Sequence, residues 1–286
     1  MSQGGKMELS NDTVIHIKNG DIEYLQFRRL LEYSDVISHC YSLGTNANFR
    51  TSSKNYENNK IEYEKVNNNY KDLCDNIGLD YRNLVKGIQR HTNNVTSVYD
   101  KINKNEPDFN MKEYENIDGL ITNKKNIVLS TTSADCISLL FFDPVKKVIA
   151  NTHSGWKGTL QRISVKTVEK MVKEFECNKE DIIVCICPSI GKCHFEVEET
   201  VKDMFLKEFQ ELEEENLKEI IEEKVIGKKW NIDTVLINKI ILKNIGIKEE
   251  NIIDSKICTM CNPEILHSYR AEKENYGLNT ALIGLK

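Results

Sequence analysis

At 286 residues, of which 40% are hydrophobic, the chain is long enough to bury a substantial core, and no Pro/Gly/Ser-rich linker divides it. Its net charge of −5 offers no broad basic surface, which argues against a dedicated nucleic-acid binder. The opening segment MSQGGKMELSND lacks the apolar centre of a signal peptide, and no apolar run approaches the roughly 20 residues that span a bilayer. The expectation is a cytoplasmic protein without membrane contact, one domain over residues 1–286, its nine cysteines reduced.

In chain order, Val14–Lys18 and Asp21–Phe27 flank Asn19-Gly20, a dipeptide suited to a two-residue hairpin turn. Ile37–Ser42 reads as a further strand. Gly44–Asn69, rich in Asn, Ser, Lys and Glu, reads as a long loop of the kind that borders sites. Ile127–Thr132, Ile137–Phe142, Lys147–Thr152 and Ile182–Cys187 have the length and β-branched or aromatic content of strands. Val168, Met171, Val172 and Phe175 fall on one helical face. Val197, Val201, Met204 and Phe205 suggest an acidic helix running toward Glu223, and a third helix covers Thr234–Asn244. The fold class expected is mixed α/β (α+β): a mixed, largely antiparallel sheet with flanking helices.

Asp143-Pro144-Val145-Lys146 makes a four-residue turn between two of these strands. If Phe142 pairs with Lys147, equal steps back and forward pair Cys136 with His153. Directly opposed residues share a sheet face, with Cβ atoms roughly 4.5–5.5 Å apart. The opposite face then carries Ile137, Leu139, Phe141, Val148, Ala150 and Thr152. The register that buries the apolar face therefore also joins a thiol to an imidazole, and a one-residue slip breaks both outcomes. Such a pair can ligate a metal, activate a nucleophilic thiol, or simply be a buried Cys beside a structural His.

Beyond this geometry, the chain carries an ordered set of motifs: Gln89-Arg90-His91, Asp118-Gly119-Leu120-Ile121-Thr122, Ala134-Asp135-Cys136, His153-Ser154-Gly155-Trp156-Lys157-Gly158, Pro188-Ser189-Ile190 with Phe195-Glu196-Val197, and Ser268-Tyr269-Arg270. Together they resemble the bacterial YfiH/YlmD-type proteins, the laccase-domain or multicopper polyphenol oxidoreductase family, whose members include zinc-dependent purine nucleoside phosphorylases with adenosine deaminase activity. The resemblance implies that His91, Cys136 and His153 are metal ligands. Three protein ligands with an open fourth position is the catalytic arrangement of zinc. Asp135 is expected to orient this site from behind the ligands, as part of a catalytic set with Cys136 and His153.

Where relatives carry Phe-Ser-Thr-Arg, this chain reads Tyr41-Ser42-Leu43-Gly44, so a family arginine able to hold an anion is absent there. Arg50 is the candidate to replace it. The family Gly after Gln-x-His is Thr92, Gly-Pro-Cys reads Cys187-Pro188-Ser189, and Gly-Arg near the end reads Gly277-Leu278. These departures lead to the expectation of weak phosphate binding, with deamination less affected than phosphorolysis.

Trp156 suits stacking on a purine or anchoring its turn. Lys157 precedes a helix beginning near Leu160, where an anion could be held, or is an ordinary solvated lysine. Arg270 suits a phosphate or ribose, or a structural salt bridge. Cys258-Thr259-Met260-Cys261 is a lone CxxC, and Cys185, Cys187 and Cys193 are its nearest potential partners in sequence. All five cysteines are read as structural or incidental, as are His16, His39 and His194.

The function expected is a zinc-dependent enzyme acting on purine nucleosides such as inosine or adenosine, with phosphate as co-substrate in phosphorolysis. A copper-dependent polyphenol oxidase would use the same ligands, since copper also accepts them, but six histidines are few for the usual multicopper site. A cysteine hydrolase using Cys136 and His153, or a non-enzymatic metal-binding protein, completes the alternatives.

Overall fold

The computed structural model describes residues 8–51, 60–100 and 112–286. The strands are β1 (Val14–Asn19), β2 (Ile22–Phe27), β3 (Ile37–Leu43), β4 (Leu84–Lys86), β5 (Val95–Ser97), β6 (Gly119–Thr122), β7 (Val128–Ser133) and β8 (Ile137–Asp143). They continue with β9 (Val148–Ser154), β10 (Ile183–Ile186), β11 (Glu196–Val197), β12 (Ile221–Val225), β13 (Lys229–Ile232), β14 (Ile252–Asp254) and β15 (Asn279–Leu285). The helices are α1 (Arg28–Leu31), α2 (Lys60–Ile77), α3 (Trp156–Leu160), α4 (Ile163–Phe175), α5 (Glu199–Glu208), α6 (Glu214–Ile220), α7 (Thr234–Asn244) and α8 (Tyr269–Glu272).

The class is mixed α/β, as expected, but the strands form two six-stranded sheets rather than one. Their orders are β1-β2-β3-β15-β7-β4 and β14-β10-β8-β9-β6-β5, and β11, β13 and β12 make a small third sheet. Pairing is largely antiparallel, with β4–β7, β5–β6 and β10–β14 parallel. The central strands are apolar on both faces, so each sheet needs cover on two sides. Leu129, Ile283 and Phe27 of the first sheet meet Leu140, Phe142 and Ile149 of the second in one buried cluster. The outer face of the second sheet, with Ile137, Leu139, Phe141, Val148 and Ala150, packs on Val168 and Met171 of α4 and Leu242 of α7. The outer face of the first, with Cys40, Val128 and Leu282, packs on Tyr70, Leu73 and Ile77 of α2.

Several local expectations shift. The hairpin turn is Gly20-Asp21, with positive φ at Gly20 alone of the two, so Asn19 stays in β1. Residues 60–69 of the expected loop lie in α2, while 52–59 fall outside the described residues. There Tyr63, Val66, Tyr70, Leu73 and Ile77 recur at helical spacing through the Asn-rich sequence, and burial of that stripe outweighs its poor propensity. The acidic helix ends at Glu208; a second helix ends at Ile220, and Ile221–Val225 is strand β12, because its residues pair with β13. Val197 belongs to β11.

The β8–β9 register also differs by two residues. Phe142 faces Ile149, and Asp143 closes the hairpin opposite Val148. Asp143 stays in the strand because its carboxylate caps the turn, accepting from the Val145 and Lys146 amides at 2.8 and 2.9 Å. A shift of two keeps every side chain on its face, so the apolar outer surface survives and Cys136 remains on the same side as His153. Its strict opposite is lost: His153 faces Ser138 and Cys136 lies just before β8.

Candidate metal centre and substrate cavity

Toward one end of the sandwich the inter-sheet layer turns polar. Thr131 donates to Asn151 at 2.7 Å, and Asn151 donates to the Leu129 and Ala281 carbonyls, so the sheets are joined by hydrogen bonds beside the site. His153 extends from β9 into this end. The loop after β4 is held against β7 by Gln89, whose side-chain amide accepts from Thr132 N at 2.9 Å and donates to Thr132 O at 2.8 Å, imitating a strand residue. That anchor presents His91, whose φ of 60° is unusual for a side-chain-bearing residue. Asp135, with φ 84°, makes the sharp turn into β8 that presents Cys136.

The ligand atoms of His91, Cys136 and His153 all lie within 4.8 Å of one another. Cys136 Sγ is 3.8 Å from His91 Nε2, close to the roughly 3.6 Å sulfur–nitrogen edge of a tetrahedral zinc site. The two imidazoles stand nearly edge-on, with centroids 5.0 Å apart. Gly155 completes the cradle. A Cβ there would sit 2.7 Å from His91 Cδ2 and 3.0 Å from Cys136 Sγ. Two imidazoles and one thiolate, with a face open to a cavity, fit a zinc ion.

The carboxylate behind these ligands is Asp118, not Asp135. Asp118 Oδ1 lies 2.9 Å from His153 Nδ1, and the carboxylate also accepts from the amides of Arg90, His91 and Thr92 and from the Thr92 hydroxyl. Burial alone would raise its pKa, but these donors, led by His153, draw it down to about 2. Asp135 is committed elsewhere, accepting from Thr259 Oγ1 at 2.6 Å and Arg270 N at 2.7 Å. Burial opposes ionisation of Cys136 too, yet the neighbouring His153 and His91 pull the thiol down to about 6. Burial likewise opposes the charged His153, but Cys136 and Asp118 lift it to about 9. Thiol and imidazole thus each favour the charged form of the other.

The centre opens onto a cavity of about 760 Å³, within the usual range for small-molecule sites. Arg50, Lys86, Arg90 and Arg270 line it, against one carboxylate, Asp135, among the described lining residues. Trp156, Phe195, Tyr269 and Tyr276 add aromatic surface. Arg50 stacks over the Tyr276 ring at 4.2 Å and donates to the Tyr276 carbonyl at 3.0 Å. The guanidinium of Arg270 donates to the His194 and Glu196 carbonyls. Trp156 both lines the cavity and packs on a neighbouring apolar cluster. Lys157 stands outside the cavity, exposed, with its ammonium 5.5 Å from the Trp156 ring centroid, and the helix in which it is the second residue has only five residues. Gly44 has φ +88° and is not among the lining residues, so an arginine there would meet backbone strain before reaching any ligand.

Two contributors escaped the sequence reading. Asp118 stood inside a recognised motif, where an acid directly before an apolar strand was the available signal. Lys86 closes the apolar run Leu84-Val85, is 6% exposed and lines the cavity; burial lowers its pKa to about 8. A lysine on a buried strand was its signal.

The profile of a family described as multi-copper polyphenol oxidoreductase laccase matches residues 46–286. Purine nucleoside phosphorylase LACC1 of Mus musculus is 35% identical over 179 residues, covering 61% of this chain and 40% of its own length. This chain thus spans about two fifths of that relative. Purine nucleoside phosphorylase YlmD of Bacillus subtilis is 29% identical over 219 residues, 75% of each chain. The fold is shared with a hypothetical protein, YfiH, of Bacillus licheniformis, with TM-score 0.80 and 22% identity over 95% of this chain and 99% of that one. Among the described residues, no helix is long and apolar enough to cross a membrane.

Proposed function

This chain belongs to the multi-copper polyphenol oxidoreductase laccase family, and within it we propose a cytoplasmic, zinc-dependent purine nucleoside phosphorylase that also deaminates adenosine slowly. The observation that carries this reading is the joining of the Cys136/His91/His153 centre to a cavity lined by four cations and four aromatic rings. Relatives named as purine nucleoside phosphorylases support it. Aromatic faces suit a purine, and cations suit phosphate.

In phosphorolysis a phosphate oxygen bonds to the anomeric carbon while the bond to the base breaks, and the electron pair leaves with the base. Zinc at the centre supplies a Lewis acid that can polarise an oxygen or lower the pKa of a water. Lys86, Arg50 and Arg270 would bind and orient the phosphate. Each guanidinium spends only part of its five donors on backbone carbonyls. Trp156 and Phe195 would face the base. Deamination needs a group to shuttle protons, a role that a glutamate plays in zinc deaminases. Here the lining carboxylate, Asp135, already accepts two hydrogen bonds, which supports phosphorolysis as the main reaction. The cations in the cavity likewise stand against the expectation of weak phosphate binding.

The test is base release from inosine by zinc-loaded and chelator-stripped protein, with and without phosphate. Release that needs both, and returns when zinc is restored, supports the reading. Release indifferent to phosphate or metal refutes it. One observation favours a second reading, a cysteine hydrolase: Cys136, His153 and Asp118 stand in the order of a nucleophile, base and orienting acid. Full zinc content in an inactive Cys136→Ser variant would decide for that alternative. Copper oxidation of phenols would use the same three ligands and is supported only by the family's description.

A further inference from the structure

The CxxC segment does not stand alone. Cys258 and Cys261, on the loop between β14 and α8, meet Cys193 and His194 from the loop between β10 and β11. All four ligand atoms lie within 4.8 Å of one another. Cys185 and Cys187, the partners suggested by proximity in sequence, are instead buried in the core.

From this arrangement we propose a second metal site: Cys193, His194 Nδ1, Cys258 and Cys261 hold a structural zinc ion, separate from the His91/Cys136/His153 centre. The geometry is that of a tetrahedron. With Zn–S near 2.3 Å and Zn–N near 2.0–2.1 Å, sulfur–sulfur edges fall at about 3.8 Å and sulfur–nitrogen edges at about 3.6 Å. Cys193 Sγ to Cys261 Sγ is 3.7 Å. His194 Nδ1 lies 3.5 Å from Cys261, 3.8 Å from Cys258 and 3.2 Å from Cys193. Three thiols and one imidazole, with four protein ligands, is the closed set of a structural zinc rather than the open set of a catalytic one.

The backbone is shaped for this role. Gly191 N–H donates to Cys258 Sγ at 3.3 Å, a bond of the kind that supports a ligating thiolate. A Cβ at Gly191 would lie 3.3 Å from Cys193 Sγ and 3.4 Å from Cys258 Cβ, so glycine lets the two loops close on each other. The Cys258 turn is fixed by Asn262, whose side chain donates to the Cys258 carbonyl at 2.8 Å.

The site also adjoins the cavity wall. Thr259, between the two cysteines of the CxxC, donates to Asp135, and Arg270 donates to the carbonyl of His194. Ile190 and Phe195, on either side of the Gly191–His194 loop, line the cavity. A metal at this site clamps the two loops together and so holds the wall against which substrate rests.

The test is zinc content by mass spectrometry of the native protein after reconstitution, joined to alkylation of each cysteine mapped by peptide. One zinc should survive Cys136→Ser and be lost in Cys258→Ser/Cys261→Ser. Cobalt reconstitution should give strong thiolate charge-transfer absorption that Cys136→Ser leaves nearly intact. In the parent protein Cys193, Cys258 and Cys261 should resist alkylation until a chelator is added, a readout that stands even if the double variant fails to fold. Loss of all zinc in Cys136→Ser, alkylation of the three thiols unaffected by zinc, or a Cys193–Cys261 disulfide in the reconstituted protein would each overturn the proposal.

Discussion

Asp118 Oδ1 lies 2.9 Å from His153 Nδ1, and the same oxygen accepts from the His91 amide at 3.0 Å, so one buried carboxylate positions both histidines of the centre. It sets the His153 tautomer so that Nε2 is the atom left for the site. Asp118→Asn keeps the size of the side chain but loses the charge and presents an amide that can donate where the carboxylate only accepts. Zinc affinity at the centre should fall about 10- to 100-fold, the usual effect of disturbing such a partner. Competition with a chelating indicator measures it. An unchanged affinity would mean that the histidines hold their positions without Asp118.

Proton competition gives the second expectation. Zinc requires a thiolate and a neutral imidazole. Between the thiol value of about 6 and the His153 value of about 9, the metal-free pair retains one proton, on the imidazole. Metal binding in that window displaces this proton, so affinity should rise about tenfold per pH unit from 6 to 9 and level off above. Below pH 6 the thiol is protonated too, and the slope should steepen. Calorimetry in buffers of different ionisation enthalpy counts the protons released; none released at pH 7.5 would contradict the assigned charges. The sign for folding of the metal-free chain follows the same values. The raised His153 loses its stabilisation as pH climbs from its unfolded value near 6.5 through about 9, while the lowered Cys136 gains its own from about 6 toward its unfolded value of 9.0, so the pair together leaves metal-free stability nearly level across that range.

Gly155 separates a steric demand from a conformational one. Its φ is −67°, a value any residue adopts, so alanine costs nothing in the backbone. The added Cβ would press on His91 Cδ2 and Cys136 Sγ. Gly155→Ala should therefore leave the melting temperature of the metal-free protein nearly unchanged while lowering zinc affinity about tenfold or more. A large loss of metal-free stability with normal zinc binding would show that the glycine serves packing instead.

Much of this site was legible because it depends on parity. The β8–β9 register moved by two residues, yet Ile137, Leu139 and Phe141 kept the outer face and Cys136 stayed with His153, since side-chain direction repeats every second residue. The helix at Thr234–Asn244 was plain from its spacing, and its start is fixed by Asp233, which accepts from Leu236 N. What stayed hidden depends on contacts between distant segments. β15 lies between β3 and β7, a placement that only long-range pairing decides. Two sheets rather than one follow from strands apolar on both faces, a pattern that does not say what covers each face. The Cys193/His194 pair and the CxxC are separated by β11–β14 and three helices, so spacing could not join them.

Lys86 carries the last prediction. It lines the cavity nearly buried, no carboxylate among the described residues pairs with it, and burial lowers its pKa to about 8. A phosphate in the cavity would favour the charged amine and be favoured by it. Phosphate affinity should therefore be greatest below pH 8 and decline as pH rises through that value. Lys86→Met retains the length of the side chain and removes the charge. It should weaken phosphate about 10- to 100-fold, the scale of one charge-assisted hydrogen bond, and abolish the decline above pH 8. The same substitution should stabilise the phosphate-free protein at neutral pH. A lysine with a lowered folded pKa costs stability in full below that value, and the cost fades as pH climbs toward its unfolded value of 10.5. Phosphate KM across pH and thermal melts with and without phosphate measure the two effects on the same pair of proteins. A variant less stable than the parent, with phosphate KM unmoved, would show that the amine supports the fold and leaves the anion to the arginines.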